Sequence, residues 1–110
     1  MPQEAELVEI LDAGERIARY IAGLDELGFI DNLLVVDAVC LNLVRIGEAA
    51  NLLTQESTAL EPSISWRRIT DMRNRIAHGY AGLDIGVVWT AASVGVPELV
   101  QAVRRMLREA

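Results

Sequence analysis

A single cysteine, Cys40, leaves the chain without an intramolecular disulfide or a cysteine-rich zinc site. Its place in an apolar helical pattern reads as a small buried hydrophobe. Only one histidine, His78, is present, so no histidine cluster can hold a metal. Carboxylates alone could still bind one, but no ligand motif gathers them, and the Glu-x-x-His pair of metal-binding bundles is absent. Lysine is missing altogether: all ten cations are arginine, which by itself carries no functional weight. No apolar run nears the ~20 residues of a bilayer-crossing helix; the longest, Gly86 to Val96, is interrupted by Thr90 and Ser93. The first residues, Met1-Pro2-Gln3-Glu4-Ala5-Glu6, are acidic and lead into no signal-peptide core, so the expectation is a cytoplasmic protein with no membrane contact.

What is there points to one folded unit. An apolar fraction of 52% over 110 residues suits a single domain, 1–110, with one core. The net charge of −6 argues against nucleic-acid binding by bulk electrostatics, because phosphates are normally met by basic surfaces. The charge is unevenly spread, however. Residues 1–37 hold nine acids against Arg16 and Arg19, whereas Ser65 to Arg75 holds four arginines against Asp71 alone.

Hydrophobic spacing predicts helices throughout, and nothing alternates with period two. Leu7, Ile10, Leu11, Ile17, Ala18 and Ile21 make one stripe over about 4–22. After a break at Gly23, Asp25 and Gly28, a second helix fits about 32–53, with Leu33, Val36, Val39, Cys40, Leu43, Val44, Ile46 and Ala50 apolar. The segment 54–65 reads as a loop. Ser65 suits the N-cap of a third helix from Trp66, and Gly79 suits its left-handed stop. Asp84 could cap a short fourth helix to about Ser93, and Pro97 could open a fifth carrying Leu99, Val103, Met106 and Leu107. The expected fold class is all-α, an antiparallel bundle of four to five helices.

The third helix carries the one string with evident chemistry: Met72-Arg73-Asn74-Arg75-Ile76-Ala77-His78-Gly79-Tyr80. Histidine exchanges protons near neutral pH, and arginine stabilises charge on a phosphate. Five helical residues separate Arg73 from His78 by about 140° and roughly 7.5 Å, too open for one site on one helix. Two copies about a twofold axis could close that gap. The same string is also an ordinary helix C-terminus, with cations at the negative dipole end and a glycine stop. Arg67, Arg68 and Arg75 are equally compatible with RNA contact or with a solvated face. The residues alone leave both readings open.

Arg73-x4-His78-x-Tyr80 resembles the signature of the HEPN ribonucleases, and of their HepT toxins in particular. The resemblance continues through Asp37-Ala38-Val39, Asn42-Leu43, Ile46-Gly47-Glu48-Ala49-Ala50, Pro62-x-Ile64-x-Trp66-Arg67-x-Ile69, Asp84, Val88-Trp89 and Pro97-Glu98-Leu99. It covers the chain from about Ile30 onward. It implies a HEPN-like homodimer that cleaves RNA without metal or cofactor, with Arg73 and His78 catalytic and Asn74 orienting the site. Glu48, polar in an apolar helix, needs a partner, and an arginine near the groove is the expectation. The resemblance further implies a toxin neutralised by AMP on Tyr80, added by an MntA-like nucleotidyltransferase antitoxin that uses ATP and magnesium. The competing reading is a non-catalytic helical dimer serving such an enzyme as its binding subunit.

Overall fold

The computed structural model describes residues 3–79 and 82–109. All regular structure among them is helical: α1 (Glu4–Ile21), α2 (Glu26–Ile30), α3 (Leu33–Asn51), α4 (Gln55–Thr58), α5 (Trp66–Gly79), α6 (Ile85–Thr90) and α7 (Val96–Glu109), with a wide π-turn at Ala91–Gly95 joining the last two. The all-α expectation holds.

Helices α1, α3 and α7 form the body. Leu7, Ile10, Ala13 and Ile17 of α1 are buried against Val36, Val39, Leu43 and Ile46 of α3 and Leu99, Val103 and Met106 of α7. The buried stripe of α1 passes through Ala13 and Gly14, while Ala18 is exposed. Small residues there allow close approach to α7: a Cβ on Gly14 would come within 2.5 Å of Val100 Cγ2. Arg45 fastens α3 to α1 through Glu9 and also meets the buried Asn42, whose amide nitrogen donates to the Ala38 carbonyl. Cys40 is buried as expected.

The connections depart from the sequence reading in four places. Two short helices, α2 and α4, were not anticipated. Each is set by a side-chain cap, Asp25 accepting from the Gly28 amide at 2.8 Å and Thr54 from the Ser57 amide at 3.1 Å. Such single turns are too short to leave a periodic signal. Leu33 and Leu34, at the start of α3, are 70% and 80% exposed, so the apolar face of α3 is only partly covered. Gly79 is the last helical residue of α5 and lacks the left-handed φ expected of it; the left-handed glycine among the described residues is Gly23, with φ of 79° after α1.

The fourth departure is that the expected fourth and fifth helices are one run. Thr90 and Ser93 hydroxyls donate back to the Gly86 and Trp89 carbonyls, which bends a helix without ending it. The Val96 amide then reaches five residues back, to the Ala91 carbonyl. This widened turn absorbs Pro97, which lacks an amide hydrogen to offer the ladder. The joined helix, Ile85–Arg108, reaches 24 residues with a mean hydropathy of 1.3 in its most apolar window. By length and composition it would suffice to cross a bilayer, contrary to the expectation from uninterrupted apolar runs. Its α7 half is amphipathic: Val96, Leu99, Val100, Ala102, Val103 and Met106 enter the core, while Arg104 and Arg105 pair with Glu15 and Glu61. That is the pattern of a helix packed in a bundle.

Candidate active site

Helix α5 carries most of the candidate residues and is the least enclosed long helix. It leans on α3, and Ile76 is its one buried side chain. Ile69 and Met72 add half-buried contacts with the core. Between α5 and the α6–α7 run lies an open cleft of about 800 Å³, lined by Ile69, Met72, Val87, Val94 and Leu99, with Arg68 and Glu98 adding charge.

Helix α5 is anchored at its start and at its middle. At its start, the Trp66 indole N–H is shared between the Thr58 carbonyl at 3.1 Å and the Glu61 carbonyl at 3.3 Å. The Ser65 carbonyl accepts from the Arg68 and Ile69 amides, so Ser65 stands where the N-cap was expected. Glu61 is itself 8% exposed and accepts two hydrogen bonds from Arg105 of α7, at 2.8 and 3.1 Å. Those bonds hold its carboxyl below the ordinary 4.5, against the upward push of burial. A loop that looks merely polar in sequence is thereby tied to α7.

Toward the other end, Arg73 projects from the flank that meets α3. Its Nη1 donates to Asn74 Oδ1 at 2.7 Å, and its Nη2 lies 3.8 Å from Glu48 Oε1. Its Nε is closed off from solvent with no acceptor in reach among the described residues. The guanidinium is therefore held between Asn74 of its own helix and Glu48 of α3, with part of the side chain open to solvent. Glu48 is exposed, so water satisfies its carboxylate and burial is not what demands a partner; the arginine beside it is Arg73.

His78 is exposed on a different face. Helical rotation places it with Arg67, Asp71 and Arg75 within an arc of about 80° that looks outward, and all four are exposed. Arg68 borders the cleft. The structure thus brings Arg73, Asn74 and Glu48 together, and sets His78 with Arg67 and Arg75 on the outer face. Tyr80 lies outside the described residues.

One contact at Arg73 escaped the sequence reading except as part of a family string. Gly47 of α3 sits directly under the Arg73 side chain. A glycine inside a strongly apolar helical pattern is the signal that could have marked a close backbone approach. Glu61, Arg105 and the Trp66 anchor were missed because a charge pair between distant segments leaves no local pattern.

The comparisons with known proteins agree with one another. The family model described as ribonuclease HepT-like matches residues 10–106. A protein of Thermococcus cleftensis named "Probable ribonuclease HepT" is 30% identical over 93 residues, covering 84% of each chain. A protein of Methanocaldococcus jannaschii with RNase in its name is 27% identical over 91% of this chain and 92% of its own. Another such protein, from Caldanaerobacter subterraneus, is 26% identical over 94% and 92%. No solved structure matches significantly. A HEPN-like helical bundle with its arginine and histidine on one helix, matched by this model over nearly its whole length, belongs to the HepT-like ribonuclease family.

Proposed function

We propose that the protein is an endoribonuclease toxin that works without metal, as a homodimer with a composite active site. The observation that carries this reading is the placement of Arg73 and His78 on one helix with one main neighbour. Arg73 faces α3, and His78 faces outward. One chain presents the two side chains on different faces, and a second copy across a twofold axis near α5 supplies the missing half.

The chemistry needs two proton transfers and one charge stabiliser. A histidine imidazole takes the proton from a ribose 2′-hydroxyl, and the resulting oxygen attacks the adjacent phosphorus. The bond from phosphorus to the 5′-oxygen breaks, and that oxygen receives a proton from the second copy's imidazolium. The products are a 2′,3′-cyclic phosphate and a free 5′-hydroxyl. Arg73 stabilises the extra negative charge on the phosphorane. Asn74 and Glu48 keep its guanidinium in place, and Arg67, Arg68 and Arg75 contact neighbouring phosphates.

The apolar cover for such a dimer is present. Leu34 and Leu41, 80% and 63% exposed, share with Glu48 a heptad spacing that places all three on one side of α3. The stripe therefore leads to the carboxylate beside Arg73. Control is the part that rests on family resemblance: in the cytoplasm, a partner nucleotidyltransferase transfers AMP from ATP, with magnesium, to Tyr80. A bulky anion two residues from His78 would compete with RNA phosphate for the arginines.

The test is cleavage of single-stranded RNA by purified protein in excess EDTA, with the ends analysed for cyclic phosphate. Arg73→Ala and His78→Ala should each abolish cutting. His78 is exposed, so its replacement should leave stability within about 0.5 kcal/mol. A His78→Ala protein that cuts as well as wild type would remove His78 from the chemistry, and wild-type protein that cuts no RNA would leave the non-catalytic binding subunit as the better reading.

A further inference from the structure

The structure assigns Gly47 as the positioning residue for Arg73, a seat on α3 that only a residue without a side chain can provide. The proposal rests on the reading of Arg73 as the charge stabiliser. Gly47 is buried in mid-helix, where glycine is a poor choice for helix formation. An added Cβ there would overlap the Arg73 Cβ and lie 2.8 Å from its Cγ, well inside the 3.5–4.0 Å at which carbons meet comfortably. It would also stand 3.3 Å from the Ile69 carbonyl oxygen, one turn earlier on α5.

The clash is with the root of the arginine and with backbone, not with a flexible side-chain end. Rotating Arg73 about its outer bonds cannot relieve it, so α5 itself has to move away from α3. Three features of the guanidinium depend on that separation. Its Nε is sealed from solvent, its Nη2 stands 3.8 Å from Glu48 of α3, and its remaining edge is open to a phosphate. Gly47 therefore sets how far the cation projects from the bundle, and the helix cost of a glycine is tolerated for that placement.

Gly47→Ala tests this, with Gly14→Ala as the matched control. An added methyl at Gly14 also meets a neighbour, the Val100 side chain, but at the α1–α7 contact away from Arg73. At a temperature where both variants are folded, Gly47→Ala should lower kcat for RNA cleavage by roughly 100-fold, the scale of a one-ångström misplacement. KM should stay within about threefold, since other arginines hold the substrate. Gly14→Ala should keep its kcat. A second readout is independent of activity: the Arg73 Nε–H should give a slowly exchanging NMR signal in wild type that is lost or shifted in Gly47→Ala and kept in Gly14→Ala. If Gly47→Ala does not fold, Gly47→Ala/Arg73→Gly removes the opposing carbons and should fold again. An unchanged Arg73 signal and kcat in Gly47→Ala, or a double variant no more stable than the single, would overturn the proposal. Wild-type protein that cuts no RNA yet shows the expected NMR changes would overturn the catalytic reading and leave the seat intact.

Discussion

Replacing Ile76 with alanine should release the candidate catalytic helix from the bundle more than any other single truncation on α5. Ile76 is 7% exposed and is the one buried side chain between Trp66 and Gly79. The substitution removes three carbons, which at about 0.8 kcal/mol per buried carbon amounts to about 2.4 kcal/mol of lost transfer free energy. A cavity term would add to this in a rigid core, but the cleft beside α5 lets the helix settle inward and keeps that term small. The expected loss is therefore about 2–3 kcal/mol. For a domain of this size that is a fall in Tm of roughly 10–20 °C. Urea denaturation at constant m-value would measure it. Hydrogen exchange would show where it falls, with α5 amides opening faster than those of α1 and α7. A loss below about 1 kcal/mol, or protection lost equally everywhere, would refute the view that α5 is held mainly through this residue.

Three further outcomes follow from other parts of the molecule. Glu61 has its carboxyl held below 4.5 by Arg105, so its contribution to stability is complete above that pH and is lost as pH falls through the lower folded-state value. Glu61→Gln should therefore be less stable than wild type at neutral pH, and acid titration of the two should converge; curves parallel throughout would show that the pair does not titrate on unfolding. Leu41→Glu, at an exposed position on the α3 stripe, should leave the monomer folded, shift light scattering from dimer to monomer, and reduce RNA cleavage with it; a monomeric variant that still cuts would remove the need for a composite site. Co-expression with the cognate nucleotidyltransferase should add one or more AMP masses to the wild-type chain and none to Tyr80→Phe, and an increment on the phenylalanine variant would put the modification elsewhere.

The long helices were legible in the sequence because each has a stripe that a core must cover. Leu7, Ile10 and Ile17 report α1, and Leu99, Val103 and Met106 report α7, through spacing alone. The errors concentrate where local chemistry competes with a tertiary preference. Gly79 and Pro97 both carry strong punctuation value, and each stands at a helix boundary, but not by the expected device: Gly79 closes α5 without a left-handed φ, and Pro97 sits in the first turn of α7 without separating it from α6. At Pro97 the five-residue-back bond from Val96 to Ala91 shows why: a wide turn already leaves the ladder irregular, so a missing amide disrupts little. Reading proline as a boundary assumes a regular ladder, and the hydroxyls of Thr90 and Ser93 had already bent this one.

The candidate site divides along a similar line. Residue types and their spacing along α5 follow from the sequence, because helical rotation alone separates Arg73 from His78 by about 140°. What spacing cannot give is which neighbour each side chain meets. Arg73 could have been a solvated cation like Arg67 or Arg75. It differs because Gly47, from a helix some 26 positions earlier, lets the root of its side chain sink against α3 until Nε is closed off from water. Glu48, one residue on from that glycine, then stands at the edge of the guanidinium. Two adjacent residues of α3 thus treat one arginine in opposite ways, one by giving it space and the other by giving it charge. His78 receives neither from the described residues, and that asymmetry is the physical reason to look for the rest of the site on a second copy.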